Sequence, residues 1–207
     1  MKIVVITNDA LKEELLVQGV QDTIQLEWQE EPHPVQGADG YIDLLFNNTP
    51  ARISALTKFQ PAIVIVNAVS HTLSELPPDF TRINGWNSFL KRPLVEAAGM
   101  DTSKQLVEKI FSGFNKTVEW VADVPGFITA RVISMIINEA FFTLDEKVSK
   151  TEEIDTAMKL GTNYPYGPFE WGEMIGLKRV VELLTTLAHT DPRYQPATLL
   201  EKEALSS

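Results

Sequence analysis

Residues 127–148 constrain this chain more than any other stretch. Ile133, Ile137, Ala140, Phe141, Leu144 and Val148 recur at three- and four-residue steps, the spacing of one helical face. Val132, Met135 and Ile136 add apolar side chains to the remaining circumference. A helix so apolar belongs inside a bundle or under a partner subunit. Arg131, Asn138 and Glu139 interrupt the run, which is too short and too polar to span a bilayer. Val124-Pro125-Gly126 in front of it is turn chemistry and reads as a boundary between two folding units. The expected organisation is one domain over residues 1–123 and a helical domain over 124–207, built around this helix.

Ahead of the boundary, strand and helix signals alternate. Residues 2–6 form a β-branched run suited to a buried first strand, followed by helical composition over 10–17 and a stop at Gly19. Strand signals follow at 23–28, 41–46, 62–66, 82–86, 94–98 and 117–121, with helices at 51–58 and 104–112. Residues 62–66 are continuously apolar, which suits the centre of a parallel sheet; 117–121 suits an edge. Pro32 and Pro34 bar regular structure between the second and third strands. This alternation predicts an α/β domain with an open parallel sheet. Past Pro125 only helices are expected. Thr151 is the expected N-cap of a helix closed by Gly161; a second helix over 169–175 stops at Gly176, a third covers 180–188, and a loose helix fills the tail from 194.

Charge and composition narrow the function classes. A net charge of -10 argues against a nucleic-acid or anionic-membrane surface, both of which need a basic footprint. With no cysteine there is no disulfide, no thiolate nucleophile and no sulfur-built zinc site. Cytoplasmic residence is the expectation, since the apolar run at residues 3–6 is too short for a signal-peptide core. No Walker loop, no HExxH, no paired metal-ligand spacing and no Gly-x-Ser-x-Gly elbow is present, so no metal is expected.

Five blocks in the second half carry a more specific signal. They are Asp123-Val124-Pro125-Gly126-Phe127-Ile128, Asn138-Glu139-Ala140, Glu153-Ile154-Asp155-Thr156-Ala157-Met158, Gly167-Pro168-Phe169-Glu170 and Ile175-Gly176-Leu177. In this order they resemble the 3-hydroxyacyl-CoA dehydrogenase family. The resemblance implies a Rossmann-like nicotinamide-binding domain joined to an all-α domain that forms a homodimer. It also implies NAD as cofactor and oxidation of the 3-hydroxyl of an acyl-CoA in fatty acid metabolism.

The residues that this chemistry needs are largely replaced. The turn after strand one reads Thr7-Asn8-Asp9-Ala10-Leu11-Lys12 and has no glycine to let the backbone approach a pyrophosphate; Asp9 adds a carboxylate there, and Lys12 a single cation. Thr7, Asn8, Asp9 and Lys12 are therefore the cofactor-loop positions, with no NAD binding expected. The family's ribose-binding acid after strand two has no clear match; Glu27 and Glu30 are the available substitutes, and a Glu at an exposed strand end is ordinarily just solvated. The helical hairpin that clamps coenzyme A in the family is reduced to residues 29–39.

The family's catalytic His falls at Asn87 within Gly85-Trp86-Asn87-Ser88-Phe89, and an amide cannot act as a base. Its partner carboxylate corresponds to Glu96. The oxyanion-binding Asn falls at Ala130, with Arg131 retained, and the oxyanion Ser aligns at Val69, one residue from Ser70. His71 is the histidine nearest this region; His33 and His189 lie in loop-like contexts. Trp120, Tyr164, Tyr166, Phe169 and Trp171 read as core or as an acyl- or partner-facing patch.

Three readings remain open. One is a catalytically degenerate, dimeric member of the family. Another is an enzyme with a relocated site built from Ser70, His71 and Glu96. The third is a non-catalytic acyl-CoA-binding or assembly module.

Overall fold

A computed structural model describes residues 1–206. The chain divides into two compact units, residues 1–127 and the segment from Ile128 onward. The break falls four residues after the expected one at 123/124. Its cause is Arg82, which is fully buried and draws the segment 123–127 into the first unit. The Arg82 guanidinium lies 4.2 Å from the Phe127 ring centre, 3.0 Å from Asp123 Oδ1 and 2.8 Å from the Val124 carbonyl that it donates to. It also donates to the His71 carbonyl. Burial pushes its pKa down to about 10, with Asp123 pulling the other way. Gly126 (φ +84) and Phe127 (φ +51) take the left-handed turn that this anchorage needs, and the Gly126 N–H donates to the Val69 carbonyl at 2.8 Å.

The first unit is a seven-stranded sheet. In chain order its elements are β1 (Lys2–Ile6), α1 (Asp9–Leu16), β2 (Gln25–Gln29), β3 (Gly40–Asp43), α2 (Pro50–Thr57), β4 (Ile63–Asn67), β5 (Phe80–Ile83), β6 (Leu94–Ala98), α3 (Asp101–Ser112) and β7 (Thr117–Trp120). The spatial order is β2-β1-β3-β4-β5-β6-β7, which puts the most apolar strand, β4, at the centre and β7 at an edge. Side chains alternate across β1. Ile3 and Val5 join Leu11, Leu15, Val107, Ile110 and Phe111 in one core, and Val4 and Ile6 join Tyr41, Leu56 and Phe59 in the other. Two buried faces on one strand explain why its sequence is continuously apolar.

The sheet is not wholly parallel. β5 and β6 pair antiparallel, while β6 and β7 are parallel again. Residues 84–93 carry no helix, and a parallel crossover needs a dozen residues or more. β5 also ends at Ile83, short of the expected Trp86: the Asn84 N–H still donates to the Glu96 carbonyl at 3.0 Å, but the Gly85 N–H turns to the Asn67 side chain.

The second unit is helical: α4 (Thr129–Asp145), α5 (Thr151–Thr162), α6 (Pro168–Ile175), α7 (Leu177–Ala188) and α8 (Thr198–Ser206), with a 3-10 turn at Pro192–Tyr194. α4 is shorter than the apolar run, since Phe127 and Lys147 adopt positive φ at its two ends. Its circumference is also less completely covered than its composition suggests: Val132 is 49% exposed. Lys150, not Thr151, is the N-cap of α5, and the helix runs through Gly161 to end at left-handed Asn163. Asparagine tolerates that conformation and serves as the stop in place of glycine. Among the described residues no helix is long and apolar enough to cross a membrane.

Candidate functional site

The strands β1, β3, β4 and β5 run parallel, so their carboxyl ends share one edge, where ligands of open α/β sheets bind. That edge carries Thr7 and Asn8 after β1, Asp43 closing β3, Asn67 closing β4, and Asn84 after β5. Asp43 is fully buried and paired with Arg52: Nε to Oδ2 at 2.7 Å and Nη2 to Oδ1 at 2.9 Å. Arg52 Nη1 reaches Glu31 at 2.7 Å. Burial raises the Asp43 pKa, and the Arg52 hydrogen bonds hold it back. This triad ties α2 and the loop after β2 to the carboxyl end of β3.

At the loop positions Thr7 to Lys12, the structure builds an ordinary helix start. Asn8 Oδ1 accepts from the Leu11 N–H at 3.0 Å and the Asn8 carbonyl from the Lys12 N–H at 3.0 Å. Thr7 is buried with its hydroxyl on the Asn8 carbonyl, and Asp9 is exposed in the first turn. Lys12 Nζ stands over the Trp28 ring, 4.6 Å from its centre.

Ser70 is buried and His71 half-buried on the loop after β4. His71 Nδ1 lies 3.2 Å from Glu75 Oε1 and 3.3 Å from Asn48 Nδ2. Burial works to raise the Glu75 pKa, but hydrogen bonds from the Thr72 N–H and His71 outweigh it and hold this carboxyl below its usual value. Glu96 sits in mid-β6, buried, and accepts from Asn84 Nδ2 at 3.0 Å. Asn67 accepts from the Gly85 N–H at 2.9 Å and donates to the Leu44 carbonyl at 3.1 Å, tying β3, β4 and the β5–β6 connection together. Asn67, Asn84 and Arg82 are polar residues that sequence reasoning missed. The signal available was an asparagine ending the most apolar strand and another directly before a glycine.

Asn87, where the resemblance places the family base, is half-buried in the 84–93 connection. A half-buried carboxylate and a buried ammonium brace that segment. The Ser88 N–H donates to both carboxylate oxygens of Glu14, at 2.8 and 2.9 Å, and Lys116 Nζ donates to the Leu90 and Arg92 carbonyls at 2.7 Å each. Burial pushes the Lys116 pKa down to about 8. In the second unit, Ala130 is fully buried in the first turn of α4 and offers only a methyl group. Among the described residues no group of His, Cys, Asp and Glu is placed to hold a metal ion.

The sequence blocks of the helical unit turn out to be joints of the fold. Asp155 on α5 accepts from the Phe169 and Glu170 N–H groups at 2.9 and 3.2 Å, capping α6 with one carboxylate. Glu170 Oε2 accepts from the Gly167 N–H at 2.9 Å, and the same side chain pairs with Lys159. A Cβ at Gly167 would stand 2.2 Å from the Asp155 carboxyl carbon, so only glycine fits there. Asn138 on α4 donates to the Gln195 carbonyl at 2.9 Å and accepts from the Ala197 N–H at 2.8 Å. In comparison with known proteins, residues 126–206 match the family described as 3-hydroxyacyl-CoA dehydrogenase, C-terminal domain.

The helical half of the chain is thus similar to the C-terminal domain of the 3-hydroxyacyl-CoA dehydrogenases. It is 48% identical over 92 residues to 3-hydroxyadipyl-CoA dehydrogenase of Escherichia coli (strain K12), an alignment covering 44% of this chain and 19% of that protein. To 3-hydroxybutyryl-CoA dehydrogenase of Clostridioides difficile it is 32% identical over 155 residues, covering 69% of this chain and 55% of the relative. The chain thus spans well under two thirds of the curated relatives it matches. The crystal structure of (S)-3-hydroxybutyryl-CoA dehydrogenase from Ralstonia eutropha superposes with a TM-score of 0.75 at 21% identity, covering 99% of this chain and 93% of that one. At that identity the likeness shows the Rossmann-like fold followed by helices, and no more.

Proposed function

We propose that this protein is a catalytically degenerate 3-hydroxyacyl-CoA dehydrogenase-like scaffold, one that has kept the fold of its lineage and lost NAD-dependent hydride chemistry. The observation that carries this reading is Asn87. Taking the hydroxyl proton as hydride departs needs a base, and an amide at that position has no basic lone pair at neutral pH. Two further features support it. Ala130 cannot donate to a developing oxyanion. The α1 N-terminus spends Asn8 on its own Leu11 N–H, in a turn with no glycine to admit a pyrophosphate. Loss of the base alone costs roughly 10²–10⁴-fold in rate, and loss of an oxyanion donor roughly 10²–10³-fold more.

The test is titration calorimetry of the purified chain with NAD, NADH and acetoacetyl-CoA, beside an NAD-reduction assay on 3-hydroxybutyryl-CoA. Silence toward both nucleotides and no turnover are expected. Micromolar nucleotide binding with turnover at an ordinary enzymatic rate would sink the reading.

A signal for the CoA ester without nucleotide would assign an acyl-CoA-binding module. An enzyme using Ser70, His71 and Glu96 is the competing reading, because Glu75 and Asn48 orient the His71 ring at the sheet edge. It requires a turnover that His71→Ala abolishes. We also propose a homodimer through the C-terminal helices, where Phe142, Val148 and Leu160 leave apolar surface exposed. A monomer by sedimentation velocity at tens of micromolar would refute that assignment.

A further inference from the structure

The helical unit holds a pair of cations that the proposed function does not use. Arg131, in the first turn of α4, places its guanidinium carbon 5.2 Å from the Tyr194 ring centre, and Arg193 places its own at 4.6 Å. Tyr194 is 5% exposed, and its hydroxyl accepts from Arg193 Nη2. The two arginines differ in their partners. Arg193 is exposed and has Asp191 3.1 Å away. Arg131 has no ion pair and no hydrogen-bond acceptor among the described residues, and its Nε is buried without a partner.

Arg131 is half-buried with its Nε shut off from water and lacking an acceptor, which is costly, and a second cation on the same ring adds repulsion. An anion shared between the two forks relieves both, because carboxylates match guanidinium geometry. Space for one exists. Both arginines line a cleft of about 430 Å³, at the small end of the range for ligand sites. Val132, Met135 and Ile136 line it as well, giving the cationic end an apolar extension. Glu139 is the one carboxylate on its wall. That charge disfavours a doubly charged phosphate and favours a singly charged ligand.

We propose that this cleft binds a small monocarboxylate carrying a short apolar chain, its carboxylate on Arg131 and Arg193 and its chain along Val132, Met135 and Ile136. The site lies wholly within the helical unit and does not depend on the reading of the first unit.

The experiment is calorimetric titration of the full chain with sodium hexanoate, with acetate and hexan-1-ol as controls. Saturable one-to-one binding of hexanoate is expected, with acetate weaker and the alcohol silent. Arg131→Gln should weaken binding roughly tenfold, and Arg131→Lys should fall between, keeping the charge and losing the fork. Glu139→Gln leaves the Arg–Tyr stack untouched and should tighten binding roughly twofold, so the site stays testable even if the arginine variants unfold. A flat titration overturns the proposal, as does equal binding of hexan-1-ol, or wild-type affinity in both Arg131→Gln and Glu139→Gln. Hexanoate that binds only by dissociating a dimer, read by sedimentation velocity, would assign the arginines to a contact between copies and overturn it too.

Discussion

Replacing Asp155 by alanine tests whether the recognised sequence blocks are joints of the fold. This carboxylate is 7% exposed and accepts two backbone N–H groups at the start of α6. Those groups have no intrahelical partner, so they depend on the cap. Hydrogen bonds to a charged group contribute about 1.5–3 kcal/mol each, and the helix dipole adds a few tenths. Water can re-solvate the Glu170 amide, which is only partly buried, so the two bonds do not add in full. A loss of about 2–4 kcal/mol follows for Asp155→Ala. Asp155→Asn keeps one acceptor oxygen and gives up the charge, so its loss should be about half as large. Urea denaturation followed by far-ultraviolet circular dichroism gives the global figure. Amide exchange at Phe169 and Glu170 gives the local one, and both amides should lose protection ahead of the rest of α6. A ΔΔG under about 0.5 kcal/mol, with unchanged exchange at those two amides, would refute the capping argument.

Other perturbations follow from the same geometry. Arg52→Met leaves Asp43 buried without its partner and should cost about 3–5 kcal/mol, most of it recovered in Asp43→Asn/Arg52→Met; denaturation midpoints of the three proteins decide this. Lys116 titrates at about 8 in the folded chain against 10.5 ordinarily. The unfolded chain therefore holds the extra proton between these values, and this group makes stability rise with pH across that window by about 3 kcal/mol. Lys116→Met should flatten the slope in urea melts between pH 8 and 10.5. Asn138→Ala removes both bonds to residues 195–197 and should cost about 1–3 kcal/mol, with α8 fraying first in exchange experiments.

The parts legible in the sequence were those governed by local pattern. Continuous apolarity on β1 and β4 follows from a sheet covered on both faces, and such runs announce themselves. The β5–β6 reversal was not legible, because nothing in residues 84–93 distinguishes a short antiparallel return from a truncated crossover except length. Ends of elements set by tertiary contacts were also hidden. Phe127 reads as the first turn of an apolar helix, yet stacking on Arg82 pulls it into a left-handed turn. At the candidate site, Asn87 and Ala130 could be read directly as an amide and a methyl group, since that chemistry does not depend on placement. Of the groups that fill the sheet edge, Asn67 and Asn84 left only a local signal, and the Asp43–Arg52 pair gave none, because its pairing is set by the packing of α2.

The anchorage of residues 123–127 by Arg82 bears on how the chain can be dissected. A fragment cut at Pro125, where the sequence suggests a natural seam, would strip a fully buried guanidinium of its aromatic cover and leave the Val124 carbonyl at a frayed end. A fragment ending after Phe127 keeps every one of those contacts. Limited proteolysis should accordingly spare the Val-Pro-Gly-Phe stretch, despite its composition, and the first unit should be prepared for calorimetry as residues 1–127.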